Sequence, residues 1–327
     1  MQKFVKKVQE FVEKQPLRLA LTSAPRWWFG CSPEECRIML QSRAIQLMIS
    51  AIFCFSIMDV AVKALAPSVG VLPALWARYT GQMLFVLILV LPRLKQVVRT
   101  RYLRLQLLRS ILLMSATAFF FTGLSLIPLT DAAALMSTNP VLIALGAAIF
   151  LGEPLGVRRV AGIAVALVGA MIIIRPGSDV FSLTALLPLA AAACYSGYAL
   201  LTRRVGADED VWTSLFYTGL VGTVLLSLAV PFQWQSPDMA GFALMIVIAL
   251  AGTIGQLALI RAFSQGEAAM LAPYSYSGLA FAAFWGFVFF AEIPDFWTVF
   301  GSCVIAGAGL YVWYRETDKK AKTLSGD

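Results

Sequence analysis

The chain contains no histidine, and only 13% of its 327 residues are charged. Without histidine the usual zinc triads and imidazole acid-base chemistry are excluded. No glycine-rich phosphate loop of the Walker type is present, so this chain alone does not pump at the expense of ATP. Acidic residues number 18 against 26 Lys and Arg. The five cysteines, Cys31, Cys36, Cys54, Cys194 and Cys303, are dispersed, and the last three fall inside apolar stretches where a disulfide framework has no role. Cys31 and Cys36 are left as free thiols. No metal site and no cofactor are expected. A secretory signal is also missing, because no continuous apolar run followed by a small-residue cleavage pattern opens the chain.

Hydrophobic residues make up 59% of the sequence, with a mean hydropathy of +0.79. A soluble domain of this length needs far more charge to cover its surface. A spanning helix needs roughly 20 apolar residues, and ten such stretches are present: about 44 to 63, 73 to 92, 106 to 126, 131 to 151, 159 to 175, 183 to 202, 212 to 231, 240 to 260, 268 to 290 and 297 to 314. The fold class predicted is therefore an all-α integral membrane protein of ten transmembrane helices.

Landmarks recur at a spacing of about 136 to 139 residues. Tyr79-Thr80-Gly81 returns as Tyr217-Thr218-Gly219, and Asp131-Ala132-Ala133-Ala134-Leu135 as Glu267-Ala268-Ala269-Met270-Leu271. Glu153 with Gly162 nine positions on returns as Glu292 with Gly301. Ten helices divide into two sets of five, and an odd-numbered repeat enters the membrane in opposite senses, so the repeats are inverted. The organisation expected is an N-terminal extension 1–43, a first repeat 44–175, a second repeat 183–314 and a tail 315–327.

Of the 26 Lys and Arg, 22 fall on the side of the N-terminus, in residues 1 to 43, 93 to 104, the pairs 158/159 and 203/204, Arg261, and the tail. The positive-inside rule then puts both termini in the cytoplasm. The net charge of +8 sits in short loops and sets topology, so nucleic acid is not a partner. Residues 1 to 14 place Phe4, Val5, Val8, Phe11 and Val12 on one helical face with lysines on the rest, a pattern for an interfacial helix on anionic lipid. The competing reading makes residues 1 to 38 a dispensable leader or a mis-assigned start, with Met39 opening the chain. Both readings stand.

Ionisable groups inside a bilayer cost at least ~2.5 to 3.5 kcal/mol at a helix centre on insertion scales, so each is a candidate. Asp59 and Lys63 stand four apart on helix 1, face one side and can pair. As a pair they are either structural or a gating and proton-coupling device, and Asp131 is a second candidate proton carrier. Arg78, within Trp76-Ala77-Arg78-Tyr79-Thr80-Gly81, either grips a carboxylate, phosphate or planar ring of the solute or snorkels to helix-end carbonyls. Its counterpart in the second half is Phe216. Asn139-Pro140 interrupts helix 4, and Tyr274-Ser275-Tyr276 after Pro273 lies at the matching place in helix 9, so the two breaks are either plain helix kinks or the mark of a central site. Tyr195, Tyr198, Tyr217, Gln256 and Trp285 are amphipathic groups in apolar spans, some lining a pathway and others belonging to headgroup belts. Small residues of helices 5 and 10, Gly162 to Gly169 and Gly301 to Gly309, suit close helix packing and a scaffold or homodimer role.

The five-helix repeat with Glu at the end of its fourth helix, Gly nine residues on, and Pro inside helix 4 resembles the EamA-type drug/metabolite transporter superfamily over residues 44 to 314. Met58-Asp59-Val60-Ala61-Val62-Lys63 with Trp76-Ala77-Arg78-Tyr79 is similar to a bacterial subgroup that includes riboflavin importers and S-adenosylmethionine carriers. The resemblance implies alternating access through a cavity lined by helices 1, 3, 4, 6, 8 and 9, with helices 5 and 10 peripheral and Arg78 at the cavity edge. The expected function is a secondary transporter of a small polar, planar metabolite across the bacterial inner membrane, driven by protons or exchange. Trp76, Arg78, Tyr79, Asn139, Tyr195, Tyr198, Gln256, Tyr274 and Tyr276 are the expected solute contacts, and Asp59, Lys63 and Asp131 the coupling or gating groups. The partners expected are that small-molecule solute and membrane lipids. The alternative is a membrane-embedded enzyme acting on lipid-linked substrates.

Overall fold

The computed structural model describes residues 33–151, 157–175, 183–205, 209–265 and 271–325, and the regular elements among them are all helices. Helices are what lipid permits, because their backbone N–H and C=O groups are satisfied within the segment. Residues 1–32 with Cys31, Glu153, and Glu267 to Met270 lie outside the described residues.

Helix α1 runs Pro33–Val69 and is longer than the span read from hydropathy. Proline suits its first turn, and neither glycine nor a second proline interrupts the chain before Pro67, so the polar residues 33–43 continue the helix of the span. Gly70, at φ 81, alone joins it to α2 (Val71–Val90); glycine adopts that conformation without steric cost. After Pro92 and a short turn at Leu94–Val97 comes α3 (Leu103–Leu126). Ile127-Pro128 is extended, as a residue before proline prefers. The fourth span is then two pieces, α4 (Leu129–Met136) and α5 (Asn139–Leu151), broken where proline removes a backbone donor. α6 is Val157–Ile174.

The second half supplies α7 (Leu186–Val205), α8 (Val211–Ala229) and α9 (Met239–Gln265). A 3-10 segment Ala272–Tyr276 containing Pro273 leads into α10 (Ser277–Phe290). α11 (Phe296–Ser325) continues well past residue 314, through a Lys-, Ala- and Glu-bearing stretch of good helix formers, so residues 315–325 of the tail are part of a helix.

Six segments are long and apolar enough to cross a membrane: 42–69, 71–97, 103–126, 183–202, 211–232 and 239–262. Shorter apolar helices occupy 160–174, 274–290 and 296–311. With the broken fourth span these make ten crossings. Large apolar side chains such as Ile88, Val168, Met171, Leu228, Ile254 and Phe287 are exposed over the outside, a surface that suits acyl chains rather than water.

Packing follows a two-fold pattern. α1 packs along α9 and α3 along α7, α2 lies against α8, and α6 against α11. Exchanging each span of one repeat for its counterpart in the other turns the first contact into the second and the last two into themselves. At the α6–α11 contact, a Cβ on Gly301 would lie 2.8 Å from the Gly169 carbonyl and 2.6 Å from Ile173 Cγ1, so the backbones touch where only glycine fits. The main core lies between α1, α2, α3, α4 and α9, with Leu65, Tyr79, Phe121, Leu124, Leu135 and Ile248 fully buried. Below, the end of the bundle holding Gly70, Pro128 and residues 291–295 is called the far face, and the end holding Thr100 and Glu209 the near face.

Candidate functional site

A polar cluster occupies the apolar interior between α1, α2, α3, α7, α8 and α9. Arg78 is 6% exposed, and its guanidinium donates to Thr117 Oγ1 at 3.2 Å with the rings of Tyr79 and Phe121 at 5.5 and 5.7 Å. It points into the protein rather than out to the headgroups. Thr117 Oγ1 also pairs with the Tyr79 hydroxyl at 3.1 Å. Asp59 lies within electrostatic range of Arg78 without a salt bridge to it, and its Oδ1 is buried with no hydrogen-bond partner.

Arg109 completes the cluster and was not among the sequence candidates. It is 2% exposed; its terminal nitrogen donates to Ser214 O at 2.8 Å and Thr218 Oγ1 at 3.3 Å, and the guanidinium sits 5.5 Å from the centre of the Tyr198 ring. Gln256 donates to the Tyr198 hydroxyl at 3.1 Å, and the Tyr195 and Tyr198 rings lie 5.6 Å apart. Arg78, Tyr79, Tyr195, Tyr198, Gln256 and Asp59 are thus brought together, from both repeats. Neither arginine forms a salt bridge among the described residues, and the Nε of each is buried without a hydrogen-bond partner.

Lys63 turns away from this cluster. The pairing with Asp59 that the i, i+4 spacing allowed is not made: Lys63 Nζ bonds Glu292 Oε1 at 2.6 Å and donates to Ile127 O at 2.7 Å. Glu292 is positioned because Ala291, at φ 53, reverses the chain after α10. Its other oxygen accepts the Leu129 N–H at 2.8 Å, placing a carboxylate at the positive N-terminal end of α4. Beside it, Thr298 Oγ1 donates to Asp131 Oδ1 at 2.7 Å, Asp295 Oδ1 accepts the Thr298 N–H at 2.8 Å as an N-cap of α11, and Arg175 pairs with Asp295. Burial pushes the Asp295 carboxyl up, but the two bonds from Thr298 and the Arg175 guanidinium outweigh it and hold it below the ordinary aspartate value. This far-face network joins α1, α4 and α6 of the first half to the α10–α11 loop and α11 of the second.

The remaining candidates lie elsewhere. Trp76 bonds Ser227 Oγ at 2.9 Å and stands against Trp234 at the far face, beside a recess of about 460 Å³. Asn139 meets the interior through its carbonyl, which faces Ser196 Oγ at 3.2 Å. Tyr274 packs with Met48 and Leu259, while the Tyr276 hydroxyl is turned onto Gly309 of α11. Trp285 donates to Ser56 Oγ at 3.0 Å, and Tyr217 to Val98 O at 2.7 Å near the near face. There Glu209 accepts from Thr100 Oγ1, the Arg101 N–H and Gln106, tying the α2–α3 connection to the start of α8.

Arg109 had a legible signal, as the lone cation of the stretch 106 to 126 and three residues into it, but its place near a span end reads equally as topology. Thr117 and Thr298 carried none and Thr218 only its place in the recurring Tyr-Thr-Gly, since a threonine in an apolar helix satisfies itself on its own backbone, as Thr117 and Thr218 also do here.

The EamA-like transporter family model matches residues 42–175 and again 182–314. The riboflavin transporter of Rhizobium johnstonii is 30% identical over 284 residues, covering 84% of this chain and 92% of its own. The pseudopaline exporter CntI of Pseudomonas aeruginosa is 28% identical over 82% of this chain and 95% of its own, and the S-adenosylmethionine uptake transporter of Rickettsia bellii 27% over 70% and 79%. A solved crystal structure superposes with a TM-score of 0.61 at 18% identity, over 83% of this chain and 96% of the other, and so shares the fold. The relatives are named as transporters, which sets aside the lipid-enzyme alternative. The chain belongs to the EamA-like transporter family, as a multi-pass membrane protein that moves a small molecule.

Proposed function

We propose that this protein is a secondary transporter that carries a small polar, planar metabolite across the inner membrane of a bacterium by alternating access, with both termini in the cytoplasm. The observation that carries the reading is the buried cluster of Asp59, Arg78, Arg109, Tyr195, Tyr198 and Gln256, drawn from both repeats and left with unfilled hydrogen-bonding positions. Polar groups buried without partners are costly, and a protein that keeps several in one place has a use for them. The aromatic rings suit a planar solute and the amide and hydroxyls fix its orientation. Relatives named for riboflavin, S-adenosylmethionine and pseudopaline support a polar metabolite of that size.

In this reading the far-face network is the outer gate. Lys63–Glu292, Asp131–Thr298 and Arg175–Asp295 all cross between repeats, so rocking the halves apart at that face breaks them together. Asp59 carries the coupling proton, or neutralises a cation when the carrier works by exchange. Purified protein in liposomes loaded at different internal and external pH tests this with riboflavin and S-adenosylmethionine as probes. Flux of either that follows the proton gradient, and loses that dependence in Asp59→Asn, is the expected result. Flux without any gradient dependence removes the coupling role, and no flux of any metabolite in a broad panel removes the transporter reading.

A further inference from the structure

Two guanidinium groups and one carboxylate stand in the central cluster, and the imbalance bears on what the cluster takes. Building on the transporter reading, we infer that Arg78 and Arg109 make this cluster an anion site, so that the solute carries an acidic group, a carboxylate or phosphate, on its planar ring system.

Both guanidiniums are more than nine-tenths buried, 6% and 2% exposed. Each is held by neutral acceptors alone: Arg78 by Thr117, Arg109 by Ser214 O and Thr218. Each keeps an Nε donor buried and unused. A structural arginine in a membrane interior is ordinarily neutralised by a carboxylate or spreads its five donors over carbonyls. Here the one carboxylate inside the cluster, Asp59, is not in salt-bridge contact with either, and its own Oδ1 is unfilled. Glu209, in electrostatic range of Arg109, is already occupied by Thr100, the Arg101 N–H and Gln106 at the near face. Among the described residues the cluster therefore holds two cations against one carboxylate, with two unused charge-assisted donors, and an acid supplies a missing charge and a missing acceptor in one group.

The surroundings fix where the rest of the solute lies. Tyr195 interacts electrostatically with both Tyr198 and Arg78, and Tyr198 stands under Arg109 and receives Gln256. The tyrosine pair thus lies beside both arginines, and the ring of the solute rests on it while the acid reaches a guanidinium. Asp59, beside Arg78, would repel a second acidic group, which limits the solute to one acidic group at this point or pairs its carboxylate with a cationic group of the solute.

Pairs of planar compounds differing only by an acid test this in the purified full-length protein in nanodiscs: riboflavin against flavin mononucleotide, adenosine against its monophosphate, indole-3-ethanol against indole-3-acetate. Binding is read by concentration-dependent thermal stabilisation. At least one acid is expected to bind tenfold or more tighter than its neutral partner, about 1.4 kcal/mol. Arg78→Gln and Arg109→Gln should each cut that preference to threefold or less, while Arg78→Lys and Arg109→Lys, which keep the charge and guard against a merely unfolded glutamine variant, retain part of it. Cys303→Ser, at an exposed position on α11, should leave it unchanged. Neutral compounds binding as well as their acids, or a preference that survives both glutamine variants, overturns the anion site while leaving the transporter reading intact. If no compound binds and none enters liposomes, the reading it rests on falls with it.

Discussion

The two charged regions of this protein are built on opposite principles. At the far face the charges are matched: Lys63 holds Glu292 and a carbonyl, Glu292 caps α4, Asp131 accepts from Thr298, and Asp295 takes Arg175 and the Thr298 N–H. In the centre Arg78 and Arg109 are buried deeper, yet each of them, like Asp59 beside them, keeps a buried atom without a partner. Ion-paired charges hold helices together and are expensive to break, whereas charges without an ion-pair partner lower stability and are retained where a ligand completes them. Stability and transport should therefore respond oppositely in the two regions.

The largest stability effect is expected from Glu292→Gln, which strands the Lys63 ammonium and weakens the α4 cap. The pair is partly exposed, so the loss is about 2 kcal/mol rather than the ~3–5 of a fully buried pair, read as a fall in melting temperature in detergent. A double-mutant cycle sharpens the point: Lys63→Met with Glu292→Gln should show a coupling of about 1–2 kcal/mol, and Lys63→Met with Asp59→Asn close to none. A large Asp59 coupling would restore the pairing that the i, i+4 spacing suggests.

In the centre, Arg78→Met should abolish solute binding while leaving the ligand-free protein as stable as before, or more stable by about 1 kcal/mol, since an apolar side chain of similar length replaces an incompletely satisfied charge. A melting temperature that drops as far as in Glu292→Gln would make the two regions alike. Next in size, Thr298→Val removes a donor from Asp131 and should lower stability by about 1 kcal/mol. The pH dependence follows from Asp295. Its carboxyl is depressed in the folded state, so its contribution is complete above the unfolded value of about 3.9 and is lost as pH falls through the lower folded value. Acid unfolding of Asp295→Asn should accordingly be less steep below about pH 4 than that of the parent chain. The smallest change is Ala291→Gly, where relief of a positive φ of 53 raises stability by about 0.5 kcal/mol after the entropy of the unfolded glycine is subtracted.

How the sequence relates to the site differs from element to element. The break at Asn139-Pro140 and the one around Pro273 could be read directly, because proline's missing donor is a local property. The Glu292 landmark could be found by its recurrence, but its role could not, since that depends on a lysine 229 positions away that only folding brings to 2.6 Å. Arg78 pointing inward and Trp76 outward, two residues apart on one helix, is decided by which neighbours flank α2. Tyr276 shows the reverse failure: its position in an interrupted helix suggested the central site, and packing against Gly309 turned it to α11.

The sequence by itself determined that this is a membrane protein of two repeated halves. Hydropathy over 20 residues and an odd number of spans per repeat are properties of the chain, and lipid leaves a backbone of that composition no alternative to helices. Only the tertiary structure decided which charges meet. A helix fixes neighbours three and four residues away, but partners across helices depend on rotation and crossing, and these are set by close contacts such as Gly169 on Gly301 and by the two-fold packing of the halves.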